Sequence, residues 1–189
     1  MERRYTTIAI TLHWLVAVAV IANVALALIW PNVADEQVRP LINAHKSIGI
    51  TVLGLAVLRL LWRLGNPPPP LPGGYRPWER TLSHITHWSL YAIIFAMPIT
   101  GWVMDSAWDR AAQNPNFWFG LFEWPRLSFI MALDPATKKA VHDAFGEAHE
   151  LIGYLVYALT GLHIAGALKH QWIDGVREMQ RMWWGGRPI

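Results

Sequence analysis

The chain has 189 residues, of which 53% are apolar and only 15% charged. A soluble domain carries roughly 25% charged residues. With a formal net charge of +3, this composition excludes a disordered chain and a nucleic-acid module. The absence of cysteine excludes disulfides, thiolate metal sites, iron–sulfur clusters and thioether-linked cofactors. The length fits one domain, 1–189, and four bilayer spans of ~20 residues each would use most of the apolar residues.

Charge-free stretches locate the spans. Tyr5 to Ala34 is 30 residues without Asp, Glu, Lys or Arg, Thr81 to Met104 is 24, and Leu151 to Leu168 is 18. Each is long enough for a membrane helix. A fourth span, from about Leu41 to Leu64, holds Lys46 and Arg59 near its ends, where both can snorkel to the interface. The spans are therefore expected at about 8–30, 41–64, 81–104 and 147–171. Arg3 and Arg4 precede the first apolar run and Ala25-Leu26-Ala27 resembles a cleavage site, but the run is too long for a signal peptide. Between spans, 65–80 holds Pro67 to Pro70 and Gly73-Gly74, so it is a loop. The 105–146 connection is long and contains the aromatic stretch Asn114 to Leu121, expected to lie on the membrane interface or over the helix ends. Most of the 12 Trp fall at span ends and read as an interfacial belt.

Lys and Arg orient the bundle. With the N-terminus inside, ten lie on the inner side (Arg3, Arg4, Arg59, Arg63, Arg76, Arg80, Lys169, Arg177, Arg181 and Arg187) and six on the outer side (Arg39, Lys46, Arg110, Arg126, Lys138 and Lys139). This bias puts both termini in the cytoplasm. It makes 65–80 a cytoplasmic loop and 105–146 periplasmic.

Seven of the eight His lie in or beside the spans. Ionisable groups at membrane depth are costly, so they point to function. His149 and His163 are 14 residues apart, ~21 Å along a helix and within about 40° of one face. His13 lies near the inner end of span 1, and His45 near the outer end of the antiparallel span 2. The levels match: His13 with His163 inside, His45 with His149 outside. Two such pairs stacked in one bundle are what two bis-histidine haems require. His142, seven residues before His149, can replace it if the helix starts earlier. Gly49, Gly153, Gly161 and Gly166 suit either a macrocycle or close helix packing. His84 and His87, at i and i+3, suit zinc only with further ligands, and Glu79 is the one carboxylate nearby.

These residues also carry a resemblance. His13-Trp14, Arg39-Pro40-Leu41-Ile42-Asn43-Ala44-His45, His84-Ile85-Thr86-His87, Met97-Pro98-Ile99-Thr100-Gly101, His149-Glu150, Gly161-Leu162-His163 and Ala167-Leu168-Lys169-His170 occur in the order found in the bacterial cytochrome b561 family. The chain resembles that family over roughly 5–182. The same haem arrangement recurs in membrane subunits of formate dehydrogenases and hydrogenases, while the short form resembles the stand-alone branch. The resemblance implies an all-α integral membrane protein of the inner membrane, a bundle of four transmembrane helices enclosing two b-type haems. It implies that His13 and His163 ligate the inner haem and His45 and His149 the outer one. It further implies superoxide oxidation with ubiquinone as electron acceptor, and puts His170 at the quinone site. The 105–146 connection is long for the family.

Bis-histidine iron has no open position for oxygen, which leaves electron transfer at the haem edge. Superoxide is an anion, so Arg39, Lys46, Lys138 and Lys139 are the candidates for a basic entrance. His170 is the candidate proton relay or quinone partner, with His87, Trp88 and Lys169 nearby. Two other classes stay open: an electron-transfer subunit or shuttle between a dehydrogenase, or another redox protein partner, and the quinone pool; and a haem-free transporter relaying protons along its His.

Overall fold

The computed structural model describes residues 4–185, so Arg3 and Arg187 of the charge count lie outside the described residues. Four long helices build it: α1 (Thr7–Ile29), α2 (Asp35–Gly65), α3 (Pro77–Ser106) and α5 (Pro135–Trp172). Short helices α4 (Ser128–Met131) and α6 (Glu178–Arg181) and a two-stranded hairpin, β1 (Phe117–Trp118) with β2 (Phe122–Glu123), complete it. All four long helices are apolar and long enough to cross a membrane. Their outward faces are aliphatic: Val18, Ile21 and Leu61 are each 60% exposed or more. Water would penalise that surface and lipid does not.

Helix ends follow local chemistry. The Thr6 hydroxyl caps α1 by accepting the Ala9 N–H at 3.2 Å. Asp35 and Glu36 open α2 and Arg63 closes it, matching the helix dipole at both ends. Pro77 starts α3 and Pro135 starts α5, where a missing N–H costs nothing. Asp134 caps α5 by accepting the N–H groups of Ala136 and Thr137. Hydrogen bonds from Thr137 hold the Asp134 carboxyl below its usual range, against a smaller opposing effect of burial.

The expected spans fall inside these helices, but the last helix differs in extent. It begins at Pro135, not near 147. Charge in its first turns disguised it, because those turns stand beyond the apolar span. At 38 residues it is ~57 Å long, well past a ~30 Å hydrocarbon core. The irregular part of the 105–146 connection is correspondingly shorter.

Packing pairs α1 with α2 and α3 with α5, and α2 joins the two pairs to one another through α3; α1 and α5 share no extensive backbone contact. Each end of the bundle is closed by a loop. At one end the Pro67–Pro70 carbonyls have no neighbouring N–H, since proline lacks one. Arg181, 3% exposed, fills that need by donating to the carbonyls of Pro70 at 2.8 Å and Pro69 at 3.3 Å. At the other end the hairpin lies on α2. Ser47 Oγ accepts the Phe119 N–H and donates to the Asn43 or Phe117 carbonyl, and Trp118 Nε1 donates to Thr51 Oγ1. Phe119 and Gly120 turn the hairpin at positive φ, 47° and 73°.

Several Trp do more than sit at an interface. Trp14 Nε1 donates to the Met182 carbonyl at 2.7 Å, Trp62 Nε1 to Thr6 Oγ1 at 2.8 Å and Trp102 Nε1 to the Pro125 carbonyl at 2.9 Å. Each ties a helix to a terminal or connecting segment, a role that sequence position does not reveal.

Candidate functional site

The helix pairs hold four imidazoles facing one another at two depths. His13 of α1 and His163 of α5 have ring centroids 6.1 Å apart. His45 of α2 and His149 of α5 have centroids 6.2 Å apart. Two imidazoles bound through Nε2 on opposite sides of one metal, with bonds of about 2 Å and centroids ~1 Å behind each nitrogen, would stand about 6 Å apart. Both pairs meet that distance. His87 of α3 also approaches His163, with centroids 5.2 Å apart and the rings edge-to-face, closer than that opposed arrangement.

Hydrogen bonds fix the tautomers. His45 Nδ1 lies 3.1 Å from the Asn23 carbonyl, and His87 Nδ1 lies 2.7 Å from the Ser83 carbonyl. A carbonyl only accepts, so Nδ1 carries the proton and Nε2 keeps its lone pair. Thr100 Oγ1 donates to the Ala96 or Met97 carbonyl and accepts from His149 Nδ1 at 3.0 Å. His149 thus also presents a bare Nε2. Imidazoles oriented in this way, His45 by a backbone carbonyl and His149 by the Thr100 hydroxyl, suit haem iron.

Space around the rings agrees. A Cβ on Gly101 would stand 3.2 Å from His149 Cε1, so this glycine lets the imidazole lie against α3. Beside Gly153, Gly161 and Gly166 a Cβ would meet nothing within 4 Å. Close helix packing therefore does not explain those three, whereas Gly49 does lie against the Asn23 side chain, at 3.7 Å.

At the proline-loop end, His170 is buried under Tyr75, with ring centroids 3.9 Å apart. Its Nδ1 donates to Asp174 Oδ2 at 2.6 Å. Lys169 bonds both Asp174, at 2.7 Å, and Glu79, at 2.5 Å. The Lys169 hydrogen bond, more than that of His170, holds the Asp174 carboxyl below its usual range, while burial raises the Tyr75 phenol. Glu79, His170 and Asp174 have donor atoms within 4.8 Å of one another. The Lys169 ammonium already supplies the cation that these carboxylates need.

At the hairpin end Lys46 pairs with Asp105, which also accepts from Arg126 Nε at 2.9 Å. Two cations share one carboxylate beside His45. Lys46, expected near a span end, is held there by a buried partner at the end of α3. Arg39 donates to Asn114 Oδ1 at 2.8 Å and stacks on Trp108. Lys139 pairs with Asp143 at the surface. His142 Nδ1 donates to the Met104 carbonyl, which ties it to the end of α3. His84 is exposed, and among the described residues no third donor joins it and His87. Trp88 is exposed and lies under the Arg63 guanidinium.

Sequence reasoning quoted Thr100 and Gly101 within a motif but gave them no role, and it missed the Asn23 and Ser83 carbonyls, Tyr75 and Asp174. Of these, Asp174 had a sequence signal, standing at i+4 from His170.

Four apolar helices long enough to cross a membrane, with facing imidazole pairs between them, define a multi-pass membrane protein whose paired histidines fit a metal-bearing cofactor. The chain belongs to the prokaryotic cytochrome b561 family, whose description it matches over residues 4–185. It is 34% identical over 182 residues to cytochrome b561 homolog 2 of Escherichia coli (strain K12), covering 95% of this chain and 90% of that protein. It is 28% identical over 188 residues to the probable superoxide oxidase CybB of Yersinia pestis, covering 96% and 97%. Membership makes it a membrane electron-transfer protein with b-type haem. Four apolar helices in a prokaryotic family fit a multi-pass protein of the inner membrane. The haem-free transporter reading falls with that membership.

Proposed function

We propose that this protein oxidises superoxide at the hairpin end and delivers the electrons to ubiquinone at the proline-loop end, through two b-type haems. The observation that carries the reading is the pair of imidazole pairs, 6.1 and 6.2 Å apart, at two depths of one bundle. Haem bound there would supply a one-electron carrier. His13 and His163 would hold one haem, and His45 and His149 would hold the other. The Asn23 carbonyl and Thr100 aim His45 and His149. Positive-inside bias puts the hairpin end in the periplasm and both termini in the cytoplasm.

Superoxide is drawn by the net positive charge that Lys46 and Arg126 keep over Asp105, with Arg39 at the rim. Two superoxide ions give two electrons and leave two oxygen molecules. Ubiquinone takes both electrons and two protons. His170 hydrogen-bonds the quinone or hands it a proton, with Asp174 holding the ring and Lys169 holding Asp174. His87 stands between this end and His163.

A second reading has its own support: the relative at higher identity is named only as a cytochrome b561 homolog. On that reading a redox protein partner replaces superoxide as donor. A stopped-flow superoxide pulse on the purified protein with ubiquinone separates the two. The proposal expects haem reduction within the pulse and one quinol per two superoxide ions consumed. Haem that stays oxidised during the pulse refutes it and leaves the electron shuttle.

A further inference from the structure

Arg59 of α2 is a charged group that the functions above do not use. It follows His45 on α2 by 14 residues, the same interval that separates His149 from His163 on α5. That interval returns a side chain to nearly the same helix face one bundle level further on. Arg59 therefore stands at the level of the His13–His163 pair. It is the common charged neighbour of His13, His87 and His163. Nε donates to Tyr91 Oη at 3.1 Å, but Nη1 is buried with no hydrogen-bond partner. Arg63 follows one turn later, and both guanidiniums lie over the Tyr91 ring, at 5.7 and 5.5 Å.

Two like charges at i,i+4 repel, and a buried cation is costly unless an anion meets it. Among the described residues no carboxylate pairs with either arginine. The missing partner is an anion with oxygen acceptors that enters with a ligand. A guanidinium fork matches a carboxylate, and haem b carries two of them at one edge.

We propose that Arg59, with Arg63 one turn beyond, binds the propionate carboxylates of the haem held by His13 and His163. This rests on the haem reading above. Removing the positive charge favours the oxidised iron, so Arg59 keeps that haem's potential up without touching the metal.

The test is a potentiometric titration of the purified full-length protein in phospholipid-free detergent, resolving the two haem midpoints. Arg59→Leu is expected to lower one midpoint and leave the other unmoved, with Arg59→Lys falling between. Tyr91→Phe, which only loosens the guanidinium, is expected to lower the same midpoint by less and covers the case in which the leucine variant does not fold. When wild type and Arg59→Leu are both loaded with haem b dimethyl ester, the difference between their midpoints is expected to shrink, because no carboxylate then holds the guanidinium beside the haem. Midpoints unchanged in all three variants overturn the inference. So does an Arg59→Leu shift that persists undiminished with the ester, or one that appears only when anionic phospholipid is added back, which would assign the arginine to a lipid phosphate. A wild-type protein that binds no haem refutes the underlying reading, a result visible before any variant is made.

Discussion

Asp105 is where stability and function are expected to pull apart. Its carboxylate, 7% exposed, meets Lys46 on one oxygen and Arg126 Nε at 2.9 Å on the other, and the Arg126 side chain is only 6% exposed. Arg126 Nη1 also donates to the Ala111 carbonyl at 2.7 Å, so the triad anchors the connection that covers the hairpin end. Asp105→Ala leaves two cations facing each other without an anion. A pair of unit charges ~4 Å apart at an effective dielectric of 20 is worth about 4 kcal/mol. Removing one partner of a buried pair costs about 3–5 kcal/mol. The expected loss is therefore about 3–5 kcal/mol, against less than about 1 kcal/mol for Lys139→Ala, whose pair with Asp143 lies at the surface. The assay is unfolding by SDS in mixed micelles, followed by tryptophan fluorescence. At the same time the positive potential beside His45 rises. Superoxide capture by the surviving folded protein is expected to speed up, with a steeper fall as salt is added. A destabilisation below about 1 kcal/mol would refute the buried-triad argument. Slower capture would refute the charge argument.

Two further outcomes follow from other contacts. Gly101→Ala places a methyl 3.2 Å from His149 Cε1, so the ring must shift by a few tenths of an ångström; the electron paramagnetic resonance signal of one haem is expected to move while the other stays, and an unchanged spectrum would sink the close-approach argument. Asp174 has a depressed folded pKa, so its stabilising contribution is full above its unfolded value of ~3.8 and is lost as pH falls through the lower folded value. Wild-type unfolding midpoints are expected to drop in that acid window more steeply than those of Asp174→Asn, and parallel curves would refute the assignment. The same variant is expected to slow haem reoxidation by ubiquinone at neutral pH and leave haem reduction intact.

Much of the bundle was legible because lipid imposes a simple rule. A charge-free stretch of sufficient length has few other places to go, and regular helical rise turns a 14-residue interval into a depth and a face. That is why His149 and His163, with His13 and His45, could be sorted into levels before any contact was known. Lys46 and Arg59 show where the same reasoning stops. Both stood near span ends and read as snorkelling residues, yet one pairs with Asp105 across 59 positions and the other has a buried, unpartnered nitrogen. Periodicity assigns a side chain to a face, not to a partner on another helix.

By itself, then, the sequence determined the number of apolar helices, the intervals between the histidines along them and, through the missing cysteines, that no thiolate takes part in a site. Tertiary structure alone decided that His87 also lies against His163, that Thr100 and the Asn23 carbonyl meet His149 and His45, and that α5 begins at Pro135. It also decided that Lys169, Asp174 and His170 form one hydrogen-bonded group. Burial in lipid is a local property, additive along the chain and readable one residue at a time. Hydrogen bonds and ion pairs are set to within a few tenths of an ångström by the packing of separate helices, and no single stretch of sequence contains that information.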